Sequence, residues 1–244
     1  MGRTLGLIYG VAVYAFFFAT FLYAIAFVGD LPVPRTVDTG PAAPPAMAAI
    51  IDLLLLGLFA VQHSVMARPA FKAWWTRIVP KPVERSTYVL ASSLVLALLL
   101  WQWRPIPHVV WSVGGVGGAI LTGVFWVGWA VVLLSTFLIS HFELFGLTQV
   151  WNNLKGKAAA APTFRTPLLY GFVRHPLYLG FVLAFWAAPS MTLGHLIFAI
   201  MTLAYMLIAI QLEERDLIGT FGDSYVAYRR RVSMLIPLPP RRSA

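Results

Sequence analysis

The sequence predicts an all-α integral membrane protein: a bundle of six transmembrane helices, five in the alternative reading, with a C-terminal helical hairpin and a short cytoplasmic C-terminal segment. Three observations carry this. Hydrophobic residues make up 59% of the 244-residue chain and charged residues 11%, with mean hydropathy +0.78, against roughly 45–50% and about 25% in soluble domains. Apolar runs of spanning length follow one another along the chain. The 18 Lys+Arg, against 9 Asp+Glu, gather in alternate connecting segments. Such a chain is not an ordinary soluble enzyme, a disordered chain or a nucleic-acid module. Its net charge of +9 fits the basic loops of membrane proteins. With no cysteine, disulfides, Cys-ligated metals and a cysteine nucleophile are excluded.

The apolar runs cover 5–28, 46–67, 87–103 and 113–140. Crossing the hydrocarbon core takes about 20 helical residues, so the first, second and fourth are ample and the third is close to the minimum. The first run is too long for the apolar region of a cleaved signal peptide and is followed by further spans. A polar stretch, 141–175, precedes a last apolar region, 176–212, broken near Pro189 and Ser190. That region is too long for one span and reads as a hairpin whose first arm is short. With the N-terminus inside, every Lys and Arg except Arg35 and Arg104 falls in an inside segment. This asymmetry predicts six crossings of a bacterial-type inner (cytoplasmic) membrane, with both termini cytoplasmic. Residues 1–140 form a four-helix membrane part on the acceptor side. Residues 141–244 supply a cytoplasmic loop, the hairpin and the C-terminal segment, the whole being one structural domain.

Ionisable residues in or beside membrane helices are expensive, so function is sought there. Asp52 and His63 share a face of the second run but lie about 16 Å apart along it. His63, His141, His175, Glu213 and Glu214 all map to the cytoplasmic end, from four different helices. Each alone reads as a solvated helix end; their convergence is the clue. Carboxylates are unfavourable at a helix C-terminus, so Glu213 and Glu214 call for a cationic partner, either Arg or ligand. Tyr170 and Tyr178 add aromatic faces for cation–π contact, and Gly180 permits close approach. A cationic ligand with an amino group and a flat ring suits these groups, although the residues alone do not single one out. A neutral histidine is the usual base near pH 7, which makes His63 and His141 the catalytic candidates. No metal is expected.

The run Arg174-His175-Pro176-Leu177-Tyr178-Leu179-Gly180, then Glu213-Glu214, then Phe221-Gly222 with Tyr225 and Tyr228, resembles the C-terminal signature of the integral-membrane methyltransferases. These include isoprenylcysteine carboxyl methyltransferase and phospholipid N-methyltransferases. Gln62-His63-Ser64, Glu84-Arg85-Ser86-Thr87-Tyr88 and His141-Phe142-Glu143-Leu144-Phe145-Gly146 resemble the bacterial methanethiol S-methyltransferases and NnrU-like membrane proteins. The resemblance implies S-adenosyl-L-methionine as cofactor, methanethiol as the small thiol substrate and dimethyl sulfide as product. Carried over by motif, it implies a cofactor site of Tyr170, Arg174, His175, Pro176, Tyr178, Leu179, Gly180, Glu213 and Glu214. A lipid or prenylated acceptor, and a non-catalytic membrane protein, are the alternatives. Membrane lipid is the expected surrounding partner, and no nucleic acid is.

Overall fold

The structure, a computed structural model, describes residues 2–158 and 163–238. Residues 159–162 of the expected loop and 239–244 of the expected C-terminal segment lie outside the described residues, as does Met1. In chain order the helices are α1 (Arg3–Val28), α2 (Pro45–Ala67), α3 (Pro69–Trp75), α4 (Lys81–Gln102), α5 (Gly115–Ile139), α6 (His141–Leu144), α7 (Leu147–Leu154), α8 (Pro176–Trp186), α9 (Leu193–Phe221) and α10 (Asp223–Arg231). Two short strands, β1 (Val109–Ser112) and β2 (Ser190–Thr192), pair with each other.

Among the described residues, α1, α2, α4, α5 and α9 are long and apolar enough to cross a membrane. Their surfaces are apolar too: Leu54 is 68% exposed and Val116 79%. Such surfaces are tolerable where lipid is the solvent, and the chain is a multi-pass membrane protein.

One expectation needs adjustment. The third span is not near-minimal. It begins at Lys81 and has 22 residues, because Pro82 fits a first turn and the polar stretch before Thr87 is helical. The short hairpin arm begins at Pro176, as expected. At 11 residues α8 is about 16 Å long, and the break at Pro189-Ser190 leads through β2 into α9.

The chain forms two compact units. The first holds residues 1–111, 141–160 and 190–201. Its core includes Val13, Tyr88 and Val89, with Phe17, Met66 and Phe145 packed against them. Small residues set two close approaches. A Cβ on Gly10 would lie 2.7 Å from Val150 of α7, and one on Gly146 would lie 2.6 Å from Ser86 of α4. Gly146 also has φ +90°, a conformation glycine adopts without strain. Asp52 is fully buried, and its carboxylate accepts the Arg104 amide at 2.9 Å just past the end of α4.

The second unit holds residues 112–140, 161–189 and 202–244. Its centre is the pairing of α5 with α8, where Gly128 meets Gly180: a Cβ on Gly180 would lie 2.7 Å from the Gly128 carbonyl oxygen.

Candidate functional site

The expected cofactor residues come together in the second unit. Three pieces of chain build the place. A 3-10 turn, Leu168–Gly171, leads into the Arg174-His175-Pro176 entry of α8. The far part of α9 brings Glu213 and Glu214; the helix runs past both to Phe221, which keeps their charges away from the unfavourable C-terminal pole. The segment after α10 returns beside the entry through a parallel bridge between Val173 and Ser233. Arg174 N–H donates to the Ser233 carbonyl at 2.8 Å and His175 N–H to the Met234 carbonyl at 3.2 Å. Pro176 stands at the first helical position, where its missing N–H removes no bond.

Glu214 is the hub. Its Oε1 accepts Arg174 Nε–H at 2.7 Å and lies 3.1 Å from His175 Nε2, while Oε2 lies 3.3 Å from Arg229 Nε. The carboxylate is 3% exposed, Arg174 9% and His175 4%. Arg174 Nη1 also donates to the carbonyls of Val232 (2.5 Å) and Arg229 (3.2 Å). Glu214 and Arg174 are thus committed to protein partners. Glu213 is different: its side chain is 45% exposed, it accepts Tyr178 Oη–H at 3.2 Å, and it lies 3.9 Å from His175 Nδ1. Of the two carboxylates, only this one is turned toward an open surface.

Aromatic hydroxyls surround the hub. Tyr228 Oη donates to the Tyr170 carbonyl at 2.6 Å. Burial, aided by the Glu213 charge, pushes the Tyr170 phenol well above its usual range. Burial likewise raises Tyr225, and it pushes Tyr228 up to about 12 against the opposing pull of Arg174. All three stay protonated at neutral pH and can donate hydrogen bonds. The Tyr225 hydroxyl is buried with no hydrogen-bond partner among the described residues, and its ring packs against Phe164 and Tyr228. A cavity of about 400 Å³, lined by Arg174, Arg229, Arg230, Arg231, Ser233 and Met234 among others, opens in the same unit. Its size falls in the range of small-molecule sites.

Leu179 is half-buried on α8. Gly180 accommodates α5, as described above, and the space before it is filled by Gly128 and Val132.

His63 and His141, the expected catalytic histidines, lie in the first unit. His63 of α2 is enclosed by α4: Tyr88 Oη lies 2.9 Å from Nε2 and Ser92 Oγ lies 3.2 Å from Nδ1. His141 opens α6, and its Nε2 meets Tyr14 Oη at 2.8 Å inside a cage that includes Phe142 and Phe145. Burial lowers its pKa, so it is neutral at physiological pH. Glu143, two residues on, is exposed, and Tyr14 is the hydrogen-bond partner of His141.

Sequence reasoning missed Tyr14, Ser92 and Arg229. Ser92 had a signal, since it lies four residues after Tyr88 and so on the same helix face. Tyr14 and Arg229 had none: one lies in an apolar run, and the other is the first of three consecutive arginines.

The fold defines a multi-pass helical membrane protein, with a cluster of charged side chains where the entry to α8 meets α9. No family model matches the chain, and no solved structure does. Among curated relatives, methanethiol S-methyltransferase 1 of Bradyrhizobium diazoefficiens is 61% identical over 236 residues, 96% of this chain and 83% of that protein. Methanethiol S-methyltransferase of Mycobacterium tuberculosis is 57% identical over 244 residues, the full length of both. The nurim homolog of Drosophila pseudoobscura pseudoobscura is 32% identical over 174 residues, 68% of this chain and 69% of that protein. The chain belongs to the methanethiol S-methyltransferase family.

Proposed function

We propose that this chain is an integral-membrane methyltransferase that methylates methanethiol at sulfur, giving dimethyl sulfide, with S-adenosyl-L-methionine as donor. The observation that carries the reading is the 57% identity over the full length of both chains with a protein named for that activity. The donor set of the second unit supports the choice of donor. The ligand carries an ammonium, a carboxylate and a purine. Glu213 offers a partly open carboxylate, the arginine-lined cavity offers positive charge, and Tyr225 offers a buried hydroxyl in need of an acceptor. S-adenosylmethionine supplies a methyl group activated on a sulfonium.

Arg174, His175 and Glu214 act as a frame that fixes the entry to α8 against α9. Glu213, held by Tyr178, takes the ammonium. Tyr170, Pro176, Leu179 and Gly180 complete the cofactor site, Gly180 by letting α8 seat on α5. The thiol side belongs to residues 1–140 together with His141. An alkyl thiol is mostly protonated at neutral pH, as is a cysteine of pKa ≈ 8.5, so a neutral imidazole is needed to take its proton; His63 and His141 are the two available. The Lys and Arg asymmetry supports placing both termini in the cytoplasm and the protein in the bacterial inner membrane. The test is binding and turnover by the purified protein. S-adenosylhomocysteine should bind in calorimetry, and headspace chromatography should detect dimethyl sulfide only when both substrates are present. Binding without product would set aside the methyltransferase reading.

A further inference from the structure

His63 is surrounded in a way that a helix-end histidine has no need of. It projects from α2 into the contact with α4, between Phe59, stacked on its ring at 5.2 Å, and Tyr88, whose ring centroid is also 5.2 Å away. Both imidazole nitrogens face hydroxyls. Tyr88 Oη lies 2.9 Å from Nε2 and 3.2 Å from Nδ1, and Ser92 Oγ lies 3.2 Å from Nδ1. Gln62 Nε2 donates to the same Ser92 oxygen at 3.3 Å. Tyr88 is 6% exposed. The charged groups that face this cluster are Arg85, over the Tyr88 ring at 5.1 Å, and Arg68 beyond the end of α2; α1 adds the Tyr9 phenol. A polar chain of four side chains between two membrane-spanning helices is costly to desolvate.

The consequence is geometric. Each ring nitrogen of His63 has a hydroxyl within hydrogen-bond reach, and Tyr88 Oη is within reach of both. Resting on the reading of this chain as a thiol methyltransferase that uses a histidine base, we propose that Tyr88 is a further catalytic residue, the relay through which His63 deprotonates the thiol. The thiol S–H bond breaks and an O–H bond forms on Tyr88 Oη. The hydrogen already on Oη moves to His63 Nε2, which becomes imidazolium, and the thiolate keeps the electron pair as the nucleophile. Tyr88 ends the step as it began, as a neutral phenol, and His63 returns its proton to solvent. Tyr88 suits this better than Ser92 for two reasons. A phenol, with pKa ≈ 10, is far closer to a thiol in acidity than an alcohol is, and Tyr88 Oη is the hydroxyl nearest to Nε2.

The test compares thiols. Tyr88→Phe keeps the ring that packs against Val13 and Val89 and removes only the oxygen. With methanethiol at pH 7 its kcat should fall by about 10²-fold, the lower end of general-base losses, and should recover as pH rises. With thiophenol, which is largely ionised at that pH, the loss should shrink to a few-fold. S-adenosylhomocysteine affinity should not change. His63→Gln should show the same selectivity between thiols, and Ser92→Ala a loss at least tenfold smaller. Wild-type turnover of methanethiol by Tyr88→Phe would overturn the relay, and so would an equal loss on both thiols, which marks a packing role. Should Tyr88→Phe not fold, the ranking of His63→Gln over Ser92→Ala decides, and the reverse order overturns the proposal. Normal methanethiol turnover by His63→Gln would remove the base itself; impaired His63→Gln beside a normal Tyr88→Phe would remove only the relay.

Discussion

Replacing Glu214 by alanine tests whether the charged cluster is a frame or a solvated helix end. The carboxylate has three cationic or imidazole partners, two of them almost fully buried: Arg174 at 2.7 Å and His175 at 3.1 Å. The third, Arg229, is 49% exposed and adds little, since exposed pairs contribute about 0–1 kcal/mol. Removing one member of a buried pair costs about 3–5 kcal/mol, because the remaining charge is stranded. Arg174 keeps the carbonyls of Val232 and Arg229, which places the expected loss toward the lower figure, about 3 kcal/mol. In a chain of this size that corresponds to a fall in Tm on the order of 10 °C, read by a thermal melt in detergent without any ligand. Glu214→Gln, which keeps one acceptor, should fall by less. A Glu214→Ala protein that melts with the wild type would show that water, not the protein, satisfies Arg174 and His175, and the frame would be wrong.

Three further outcomes follow from the same geometry. Glu213→Ala should leave the melt nearly unchanged but weaken S-adenosylhomocysteine by about 1 kcal/mol, the upper end for a partly exposed ion pair; equal affinity in calorimetry would rule out its ammonium role. Gly180→Ala must push a methyl into the Gly128 carbonyl at 2.7 Å and Val132 at 2.8 Å and should cost about 1–3 kcal/mol, whereas Gly57→Ala, with nothing within 4 Å, should cost nothing in the same melt. For His141, burial depresses the folded-state pKa. Its contribution to stability is therefore complete above the unfolded value of about 6.5 and is lost as pH falls through the folded one. Melts of wild type and His141→Phe between pH 8 and pH 5 should show the wild type losing more on acidification, and parallel curves would contradict a buried neutral imidazole.

What the sequence discloses follows from what is local. The ends of α1 and α2 were legible to within two residues, because an apolar run and a Pro or charged break mark them directly. The start of α4 was not. Ser86 looks like loop chemistry, yet it is fully buried against Gly146, a contact made from sixty positions away. The gathering of His175, Glu213 and Glu214 was legible because motif order and helix ends fix it. Which carboxylate stays open was not. One residue turns the helix by about 100°, and only the positions of Arg174 and Arg229 decide that Glu214 faces inward. The partners of the two histidines, Tyr88 and Tyr14, depend on which helices neighbour one another. An apolar pattern does not encode that when the spanning helices are apolar all round.

The central claim, that this chain moves a methyl group onto methanethiol, is tested most directly by isotope. Purified protein is given methanethiol and S-adenosylmethionine carrying a trideuterated methyl group, and the headspace is read by mass spectrometry. The product should be dimethyl sulfide heavier by three mass units, made at a rate proportional to protein and reduced several-fold by Glu213→Ala at limiting donor. Unlabelled dimethyl sulfide, or none above the protein-free control while S-adenosylhomocysteine binds normally, would contradict it.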